Sequence, residues 1–337
     1  MRVFLTGGSG FVGQHLIRRL CSEGHTVVAL ARSTSSAQKA AGAGAEPVRG
    51  DLAELTEQGG SAPPPAWLDH LYDVDAVVHA AARMEFWGDD AGFRADNHDP
   101  TLALHAAAVA AGVPRFVLIS AAGVSTGTPR MTVVDEDTDN GTPVSAYCRV
   151  KLATEDALRA VASPGTTLVI LRPPMVWGAG MNIAGTAADA ARGRFLWIDG
   201  GRHTVDFVHV GNLADAVLLA LTRGRHGAPY YVTDGTPTAV RDFFTALLAT
   251  QGVDVSAGRS VPLRVVAPIA ALMDLGARLL RRSTPPPVTN WLVAFLGRDR
   301  IYDITAARNV LGYRPRIGLD AGLREMATLA RPLRASH

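Results

Sequence analysis

The sequence predicts an α/β protein, with a doubly wound parallel sheet and a smaller, mostly helical C-terminal part. Short apolar segments without polar alternation recur through the first half of the chain, as expected of parallel strands covered on both faces. Helical patterns separate these segments, and strand–helix–strand alternation over such a length is typical of a doubly wound sheet. After about residue 173, short elements, frequent glycines and scattered large apolar residues replace the alternation.

Length, composition and charge limit the classes of function. The chain has 337 residues, of which 47% are hydrophobic and 19% charged, enough for a large folded core. A formal net charge of +2 gives no reason to expect nucleic acid as a partner. Cys21 and Cys148 are predicted to be free thiols. The first segment is too short for a secretory signal, and the apolar run at residues 265–273 is too short to span a bilayer. We therefore expect a cytoplasmic protein.

The predicted elements follow one another in the order that such a sheet requires. Strands are predicted at residues 3–6, 27–30, 76–79, 116–120, 168–171 and 230–233. Helices are predicted at residues 11–21 and 100–111, the second ended by Gly112 and Pro114. Residues 59–65 are interpreted as an exposed insertion without chemistry, and residues 281–287 as a linker.

The same patterns predict how the chain divides into domains. Residues 1–172 form the domain that carries the sheet, and residues 204–233 rejoin it. Residues 173–203 and 234–337 form the C-terminal cap.

A glycine-rich segment, residues 6–13 (TGGSGFVG), follows the first strand and opens the first helix. Gly7, Gly10 and Gly13 allow a tight turn, close approach of the backbone to a pyrophosphate, and close helix–strand packing. The helix N-terminus adds free N–H groups and the positive end of a dipole. In this strand–loop–helix context the segment predicts a dinucleotide site, and the alternative is a tight turn that binds nothing.

The Gly-x-x-Gly-x-x-Gly spacing resembles the short-chain dehydrogenase/reductase superfamily. The fuller pattern Thr-Gly-Gly-x-Gly-Phe-x-Gly resembles its extended branch, which includes UDP-galactose 4-epimerase and the 3β-hydroxysteroid dehydrogenases. The resemblance covers residues 1 to about 316. It implies a Rossmann-type dinucleotide-binding domain with a substrate-binding cap.

The end of the second strand bears on which nicotinamide cofactor binds. NAD-specific members of the superfamily place an Asp or Glu there, and this chain has Ala31 followed by Arg32. Without a carboxylate nothing repels a 2′-phosphate, and the planar fork of Arg32 could bind it. We predict NADP. In the alternative, Arg32 stacks on the adenine and NAD is also accepted.

Further cofactor contacts are implied by the resemblance. Asp51 matches an Asp that holds the adenine amino group, although a helix N-cap fits this residue equally well. The full set of expected cofactor contacts is Gly7, Gly10, Phe11, Val12, Gly13, Arg32, Asp51, Leu52, Ala80, Ala81, Tyr147, Lys151, Pro174 and Val176.

The motif Tyr147-Cys148-Arg149-Val150-Lys151 predicts the catalytic pair. An i, i+4 spacing puts Tyr147 and Lys151 on one helix face. A free phenol has a pKa of about 10, and a nearby ammonium is expected to lower it. Tyr147 could then exchange a proton with a carbonyl or alcohol oxygen. The resemblance adds that Lys151 bonds the nicotinamide ribose, and the alternative is an exposed helix pair.

The third catalytic residue of the family is a Ser or Thr after the fifth strand, and here the sequence departs from the pattern. Ala121 stands in that position, with Ser120 one residue earlier. Either Ser120 or Ser125 supplies the hydroxyl, or the enzyme works without one; we favour Ser120, with a structural role as the alternative. Asn97 matches a helix asparagine that supports the site through water. His79 is interpreted as a packed strand-end residue, and we predict no metal site.

Large apolar side chains concentrate after the predicted strands, where such folds bind ligands. The predicted pocket residues are Met84, Phe86, Trp87 and Trp177. They favour a bulky hydrophobic substrate, such as a sterol-like molecule or a long-chain 3-oxo acid. Nucleotide-sugar enzymes carry a phosphate-binding Arg where this chain has Val205, although Arg192 or Arg194 could substitute for it.

The leading hypothesis is an NADP-dependent oxidoreductase that interconverts a ketone and a secondary alcohol on a bulky hydrophobic substrate. The alternatives are a nucleotide-sugar epimerase or dehydratase, and a non-catalytic NADP-sensing protein, which the Ala121 departure motivates. Residues 265–280 resemble the 3β-hydroxysteroid dehydrogenase-like group. We expect them to be packed cap structure, with contact at a membrane surface as the alternative. The resemblance also makes a homodimer through the Tyr147 helix an option.

Overall fold

The computed structural model of the chain describes residues 1–56, 63–85, 87–127, 133–280, 282 and 284–329. The strands are β1 (Arg2–Thr6), β2 (Thr26–Ala31), β3 (Glu46–Arg49), β4 (Ala76–His79), β5 (Arg115–Ile119), β6 (Val133–Val134), β7 (Thr167–Arg172), β8 (Met175–Trp177), β9 (Leu196–Ile198), β10 (Thr204–Val205), β11 (Phe207–His209), β12 (Pro229–Tyr231), β13 (Thr238–Ala239), β14 (Arg259–Val261) and β15 (Ile301–Tyr302). The α-helices are α1 (Phe11–Ser22), α2 (Thr34–Gly42), α3 (Asp90–Phe93), α4 (Asp99–Ala110), α5 (Ala146–Ala160), α6 (Ala184–Ala191), α7 (Val210–Ala220), α8 (Val240–Ala249), α9 (Leu263–Leu279), α10 (Asn290–Leu296) and α11 (Leu319–Leu329).

Seven parallel strands form the central sheet in the order β12-β7-β5-β4-β1-β2-β3. The predicted strands are all present, with ends that differ by at most two residues. The predicted Rossmann-type α/β fold is therefore confirmed. β1 lies between β2 and β4, so the winding direction reverses at β1 and leaves a crevice at the carboxyl ends of β1 and β4.

Alternating side chains of the strands separate the core into two layers. Val3 and Leu5 of β1 pack in the layer that contains α1 and α7, whereas Phe4 packs in the layer that contains α4. Leu16 and Ile17 of α1 are buried in the first of these layers. Because successive strand residues point to opposite faces, a sheet buried on both sides needs apolar residues at every position.

A further apolar core lies apart from the two layers that cover the sheet, and Trp177, Phe207 and Phe243 are buried in it. Helix α9 departs from the expectation of a fully packed segment. Its side chains Val266 and Ala270 are buried, but a second apolar face is exposed. The segment is therefore packed on one side only.

Parts of three predictions lie outside the described residues. Residues 59–62 of the predicted insertion, Arg281 and Ser283 of the predicted linker, and the predicted pocket residue Phe86 are among them. Across the part of the chain that is described, no helix is both long and apolar enough to cross a membrane.

Candidate active site

The glycine turn after β1 lies in the crevice at the switch point. Gly7 has a φ of +76°, and a Cβ atom on it would lie 2.7 Å from the Ala80 backbone. A Cβ atom on Gly13 would lie 2.1 Å from the carbonyl oxygen of Gly7. No described side chain caps the N-terminus of α1 at Gly10, and the first turn holds no acidic residue. The turn therefore leaves space and N–H donors where a pyrophosphate would be held, and its residues fit a dinucleotide.

A buried hydrogen-bond chain fixes the strand ends beside this turn. The Ala81 N–H donates to Thr6 Oγ1 at 3.2 Å, and Thr6 Oγ1 lies 2.8 Å from His79 Nδ1. His79 Nε2 lies 2.8 Å from Thr101 Oγ1, which donates to the Asn97 carbonyl. Since each hydroxyl has one proton, His79 must be protonated at Nε2 alone. Burial lowers the pKa of His79 to about 3, so it is the packed, neutral histidine that the sequence predicts.

Asp51 follows β3 and caps a short 3-10 helix that begins at Leu52. Its Oδ1 accepts from the Ala53 N–H at 3.2 Å, and Glu54 Oε1 accepts from the Asp51 N–H at 3.0 Å. The N-cap alternative for Asp51 is thus what the structure contains. A contact of Asp51 with an adenine amino group stays a prediction.

Arg32 lies at the carboxyl end of β2 and is exposed. It forms no hydrogen bond or ion pair with any described residue. Ala31 precedes it and is buried. An unpaired guanidinium thus stands next to the crevice with no carboxylate at the preceding position.

The predicted catalytic pair lies on α5, whose N-cap Ser145 accepts from the Cys148 N–H at 3.1 Å. Tyr147 is buried, and its ring contacts the Phe93 ring edge-on at a centroid distance of 6.0 Å. Lys151 Nζ lies 6.0 Å from the centroid of the Tyr147 ring and donates to the Ile119 carbonyl at 3.0 Å. The two side chains share one buried helix face, so the alternative of an exposed pair does not apply.

The titration of this pair differs from the prediction. Burial raises the pKa of Tyr147 above its ordinary value, whereas the lysine was expected to lower it. Burial also lowers the pKa of Lys151 to about 8, against an opposing effect of Glu155. A phenol with a raised pKa stays protonated at neutral pH, and it can act as a proton donor rather than as a base.

The geometry around Ser120 supports its structural alternative. The buried Ser120 hydroxyl donates to Glu155 Oε1, and Arg172 binds the same carboxylate through Nε at 3.1 Å and Nη2 at 2.6 Å. All three side chains are buried. Ser125 donates to the Ala122 carbonyl at 3.0 Å. The proton of Ser120 is directed to Glu155, so Ser120 belongs to this buried network, and its catalytic role stays a prediction.

Asn97 supports the site by binding a loop. Its Oδ1 accepts from the Arg83 N–H at 2.7 Å, and its Nδ2 donates to the Arg83 carbonyl at 2.9 Å. This two-point contact fixes the start of the loop that carries Met84 and Trp87. Met84 is exposed, and the Trp87 ring lies under the Arg278 guanidinium at 5.2 Å.

Trp177 borders a cavity together with Asp234 and Phe243, and its place in a substrate pocket stays a prediction. It is fully buried, and its Nε1 donates to Asp234 Oδ2 at 2.8 Å. Its ring packs edge-on against His209 and Phe243. Pro174 and Val176 precede it on the chain and are half-buried.

The structure places the three residues that bear on the phosphate-binding arginine of nucleotide-sugar enzymes in different surroundings. Val205 is buried and pairs with Thr238 in a short antiparallel ladder. Arg192 and Arg194 are exposed and pair with Asp189 at 3.8 and 2.5 Å.

Glu155 and Asp234 are two residues that the sequence analysis missed. Glu155 is four residues after Lys151 on the same helix face, and this spacing was the available signal. Asp234 follows the predicted strand 230–233 directly and accepts from the His209 N–H and from Asn212 Nδ2, both at 2.7 Å. The sequence feature that could have identified Asp234 is the position of a polar residue directly after a predicted strand.

A parallel sheet with a glycine turn at its switch point, beside a tyrosine and a lysine one helical turn apart, defines an NAD(P)-dependent oxidoreductase. The model of the NAD dependent epimerase/dehydratase family matches residues 3–233. The chain belongs to this family, and its predicted resemblance to the extended short-chain dehydrogenases/reductases is confirmed.

The similarity to known proteins extends over nearly the whole chain. It is 34% identical over 330 residues, 95% of both chains, to the 4-hydroxy-2-methyl-3-oxo-4-farnesyl-3,4-dihydroquinoline-1-oxide ketoreductase of Stigmatella aurantiaca. It is 30% identical over 336 residues, 97% of this chain and 98% of the other, to the 2-alkyl-3-oxoalkanoate reductase of Stenotrophomonas maltophilia (strain K279a). The solved structure of DesIV, a dTDP-glucose 4,6-dehydratase from Streptomyces venezuelae, has the same fold, with a TM-score of 0.74 at 23% identity over 98% of this chain and 96% of that chain.

Proposed function

We propose that the protein reduces a ketone on a bulky hydrophobic molecule to a secondary alcohol, with NADPH as the cofactor. The observation that carries this proposal is the buried pair on α5, in which a protonated Tyr147 lies beside the Lys151 ammonium. Two relatives are named for ketone reduction, one on a farnesylated quinoline oxide and one on 2-alkyl-3-oxoalkanoates. Their names support a ketone with a long apolar substituent as the substrate class.

Tyr147 supplies the proton of this reaction. The reduced dinucleotide, when bound, supplies a hydride to the carbonyl carbon. Tyr147 Oη donates its proton to the carbonyl oxygen as negative charge develops there, which completes the alcohol. The Lys151 ammonium stabilises the tyrosinate that remains, because an opposite charge in a buried site favours the ionised form. Ala121 packs against the cluster around Tyr147 and provides no hydroxyl, so Tyr147 is the proposed donor to the substrate oxygen.

The test is NADPH oxidation by the purified protein with a 2-alkyl-3-oxoalkanoate, a 3-oxosteroid and a short apolar ketone, each repeated with NADH. We expect turnover with at least one of the two bulky ketones and faster turnover with NADPH. Binding of NADPH without turnover on any ketone would instead support the cofactor-sensing alternative.

The rate of reduction should depend on pH through Lys151. Its buried ammonium has a pKa of about 8. Below that value the protonated form predominates and stabilises the tyrosinate, so kcat should be constant. Above it, the protonated fraction of Lys151 falls about tenfold for each pH unit, and kcat should fall in proportion. Steady-state kinetics at saturating substrate between about pH 6 and pH 10 measure the profile.

A Lys151→Arg variant is the control for this assignment. Its guanidinium stays charged throughout the range, so the alkaline fall in kcat should be absent even if the absolute rate is lower. An unchanged fall in the variant would assign the titration to another group.

Replacement of Arg32 by alanine should weaken NADPH binding by about tenfold, because a charge-assisted bond to the 2′-phosphate is lost. NADH has no such phosphate, and its Kd should change by less than about twofold. Lys39→Ala on α2 removes the same charge from a nearby exposed position and is the matched control. If the two variants lost NADPH affinity equally, the overall positive charge of this surface would be the cause rather than a direct bond from Arg32. Equal losses for NADPH and NADH in Arg32→Ala would indicate adenine stacking.

A further inference from the structure

Helix α9 has two apolar faces, and only one is covered. Its inner face packs through Val266, Ala270 and Ala277, which are buried. On the other side, five large apolar side chains are between 45% and 75% exposed. These residues, called here the outer face of α9, are Val265, Ile269, Leu272, Leu275 and Leu279. Steps of three, four and seven residues place them on one stripe along the helix.

The exposed charges on α9 and just beyond its end are basic, whereas acidic residues of neighbouring elements lie near its two ends, Asp199 at Leu263 and Asp90 near Arg278. Arg264 and Arg278 are the basic residues of α9 and both are exposed, as is Arg282 just beyond its end. The carboxylate of α9, Asp274, is buried on the inner side and accepts from the Asn290 N–H at 3.0 Å. An exposed apolar stripe bordered by arginines, on a helix without an exposed carboxylate, complements a surface that offers both acyl chains and phosphates.

We propose that the outer face of α9 docks on a bilayer that contains anionic lipids. The leucines, Val265 and Ile269 lie among the upper acyl chains, and the flanking arginines contact lipid phosphates. At 17 residues α9 is about 25 Å long, so it lies in the plane of the interface rather than across the bilayer.

A second copy of the chain fits this face less well. A symmetric pair would place the same surface on both sides, and Arg264, Arg278 and Arg282 would meet arginines of the partner. The helix offers no exposed carboxylate to neutralise them. An anionic bilayer neutralises these arginines, whereas in a dimer the arginines of the two copies would repel each other.

The docking face is joined to the loop beside the candidate active site. The Trp87 Nε1 donates to the Arg282 carbonyl at 3.1 Å, and Arg278 lies over the Trp87 ring. Trp87 belongs to the loop that follows β4, one of the two strands that border the crevice. A bilayer under α9 would therefore lie next to the loop that leads to Phe93, whose ring contacts Tyr147. The docking itself does not depend on the proposed ketone reduction.

The test is co-sedimentation of the full chain with vesicles. We expect binding to equimolar phosphatidylglycerol and phosphatidylcholine at low salt, and at least about fivefold less binding to phosphatidylcholine alone or at high salt. Leu272→Glu, at a position that is 70% exposed, should reduce binding by about tenfold, since it places a carboxylate in the docking face. Tyr72→Glu, at a position that is 72% exposed on another part of the surface, is the matched control and should bind like the wild type.

Light scattering without lipid and NADPH turnover without lipid complete the experiment. Absence of binding to anionic vesicles would overturn the proposal. So would a lipid-free dimer that Leu272→Glu converts to a monomer, because the outer face would then be a contact between copies. Equal binding of Leu272→Glu and the wild type would also overturn it. Turnover is recorded separately, so failure of docking and failure of the proposed reaction can be told apart.

Discussion

Replacing Tyr147 by phenylalanine is expected to lower kcat for ketone reduction by about 10²- to 10⁴-fold, the usual contribution of a positioned proton donor. The change removes one oxygen and keeps the ring that packs against Phe93. The fold and the Kd for NADPH should therefore be unchanged. Steady-state kinetics measure the first expectation, and fluorescence titration with NADPH measures the second.

Tyr313→Phe is the matched control for this variant. Tyr313 is also buried, and its hydroxyl donates to the Thr233 carbonyl at 2.8 Å, in the core layer that contains α7. Its loss should cost about 1 kcal/mol of unfolding free energy while kcat stays within about twofold. A Tyr147→Phe variant that retained wild-type turnover would contradict the acid role and would move the proton donor elsewhere.

Replacing Arg172 by methionine is expected to lower the free energy of unfolding by about 3–5 kcal/mol. The Glu155 carboxylate is fully buried, and Arg172 is its ionic partner. Without the guanidinium, Ser120 is the remaining hydrogen-bond donor to this carboxylate among the described residues. The carboxylate must then be buried without its ion-pair partner or take up a proton. Urea denaturation measures the loss of unfolding free energy, and the dependence of that free energy on urea concentration should be unchanged.

An exposed ion pair on the same helix serves as the control. Arg159 pairs with Asp156 at 2.6 Å, with side chains that are 36% and 60% exposed. Arg159→Met should change the free energy of unfolding by about 0.5 kcal/mol or less, because water screens this pair. Adding Glu155→Met to Arg172→Met should restore part of the loss, since no charge is then buried. Equal effects of the two single variants would show that the Glu155 site is not desolvated.

Much of the fold could be predicted because its signals are local. The apolar strands, the glycine turn and the Tyr147–Lys151 spacing each lie within a short segment, and the sheet rules then fix their neighbours. The N-cap of Asp51 and the packed His79 were foreseen on the same basis. The glycine turn also specifies its surroundings, since a Cβ on Gly13 would collide with Gly7.

The contacts that the sequence analysis did not predict involve partners that are distant in the sequence. Ser120 is committed to Glu155, which is 35 residues away, and Trp177 to Asp234, which is 57 residues away. The pKa of Tyr147 depends on how deeply α5 is buried, which no local pattern gives. The two faces of α9 could not be separated either, because an apolar helix has the same sequence pattern whether its second face meets protein or is exposed.

The hydrogen-bond chain from Ala81 through Thr6, His79 and Thr101 to Asn97 limits how this scaffold can be redesigned. Valine at either threonine would leave a ring nitrogen of His79 buried and unpaired, so both hydroxyls are required. The Asn97 side chain, at the end of this chain of hydrogen bonds, holds the Arg83 backbone in place through two further hydrogen bonds. Substitutions are therefore expected to be tolerated at the exposed Met84, which follows Arg83, and to be poorly tolerated at the residues of the hydrogen-bond chain.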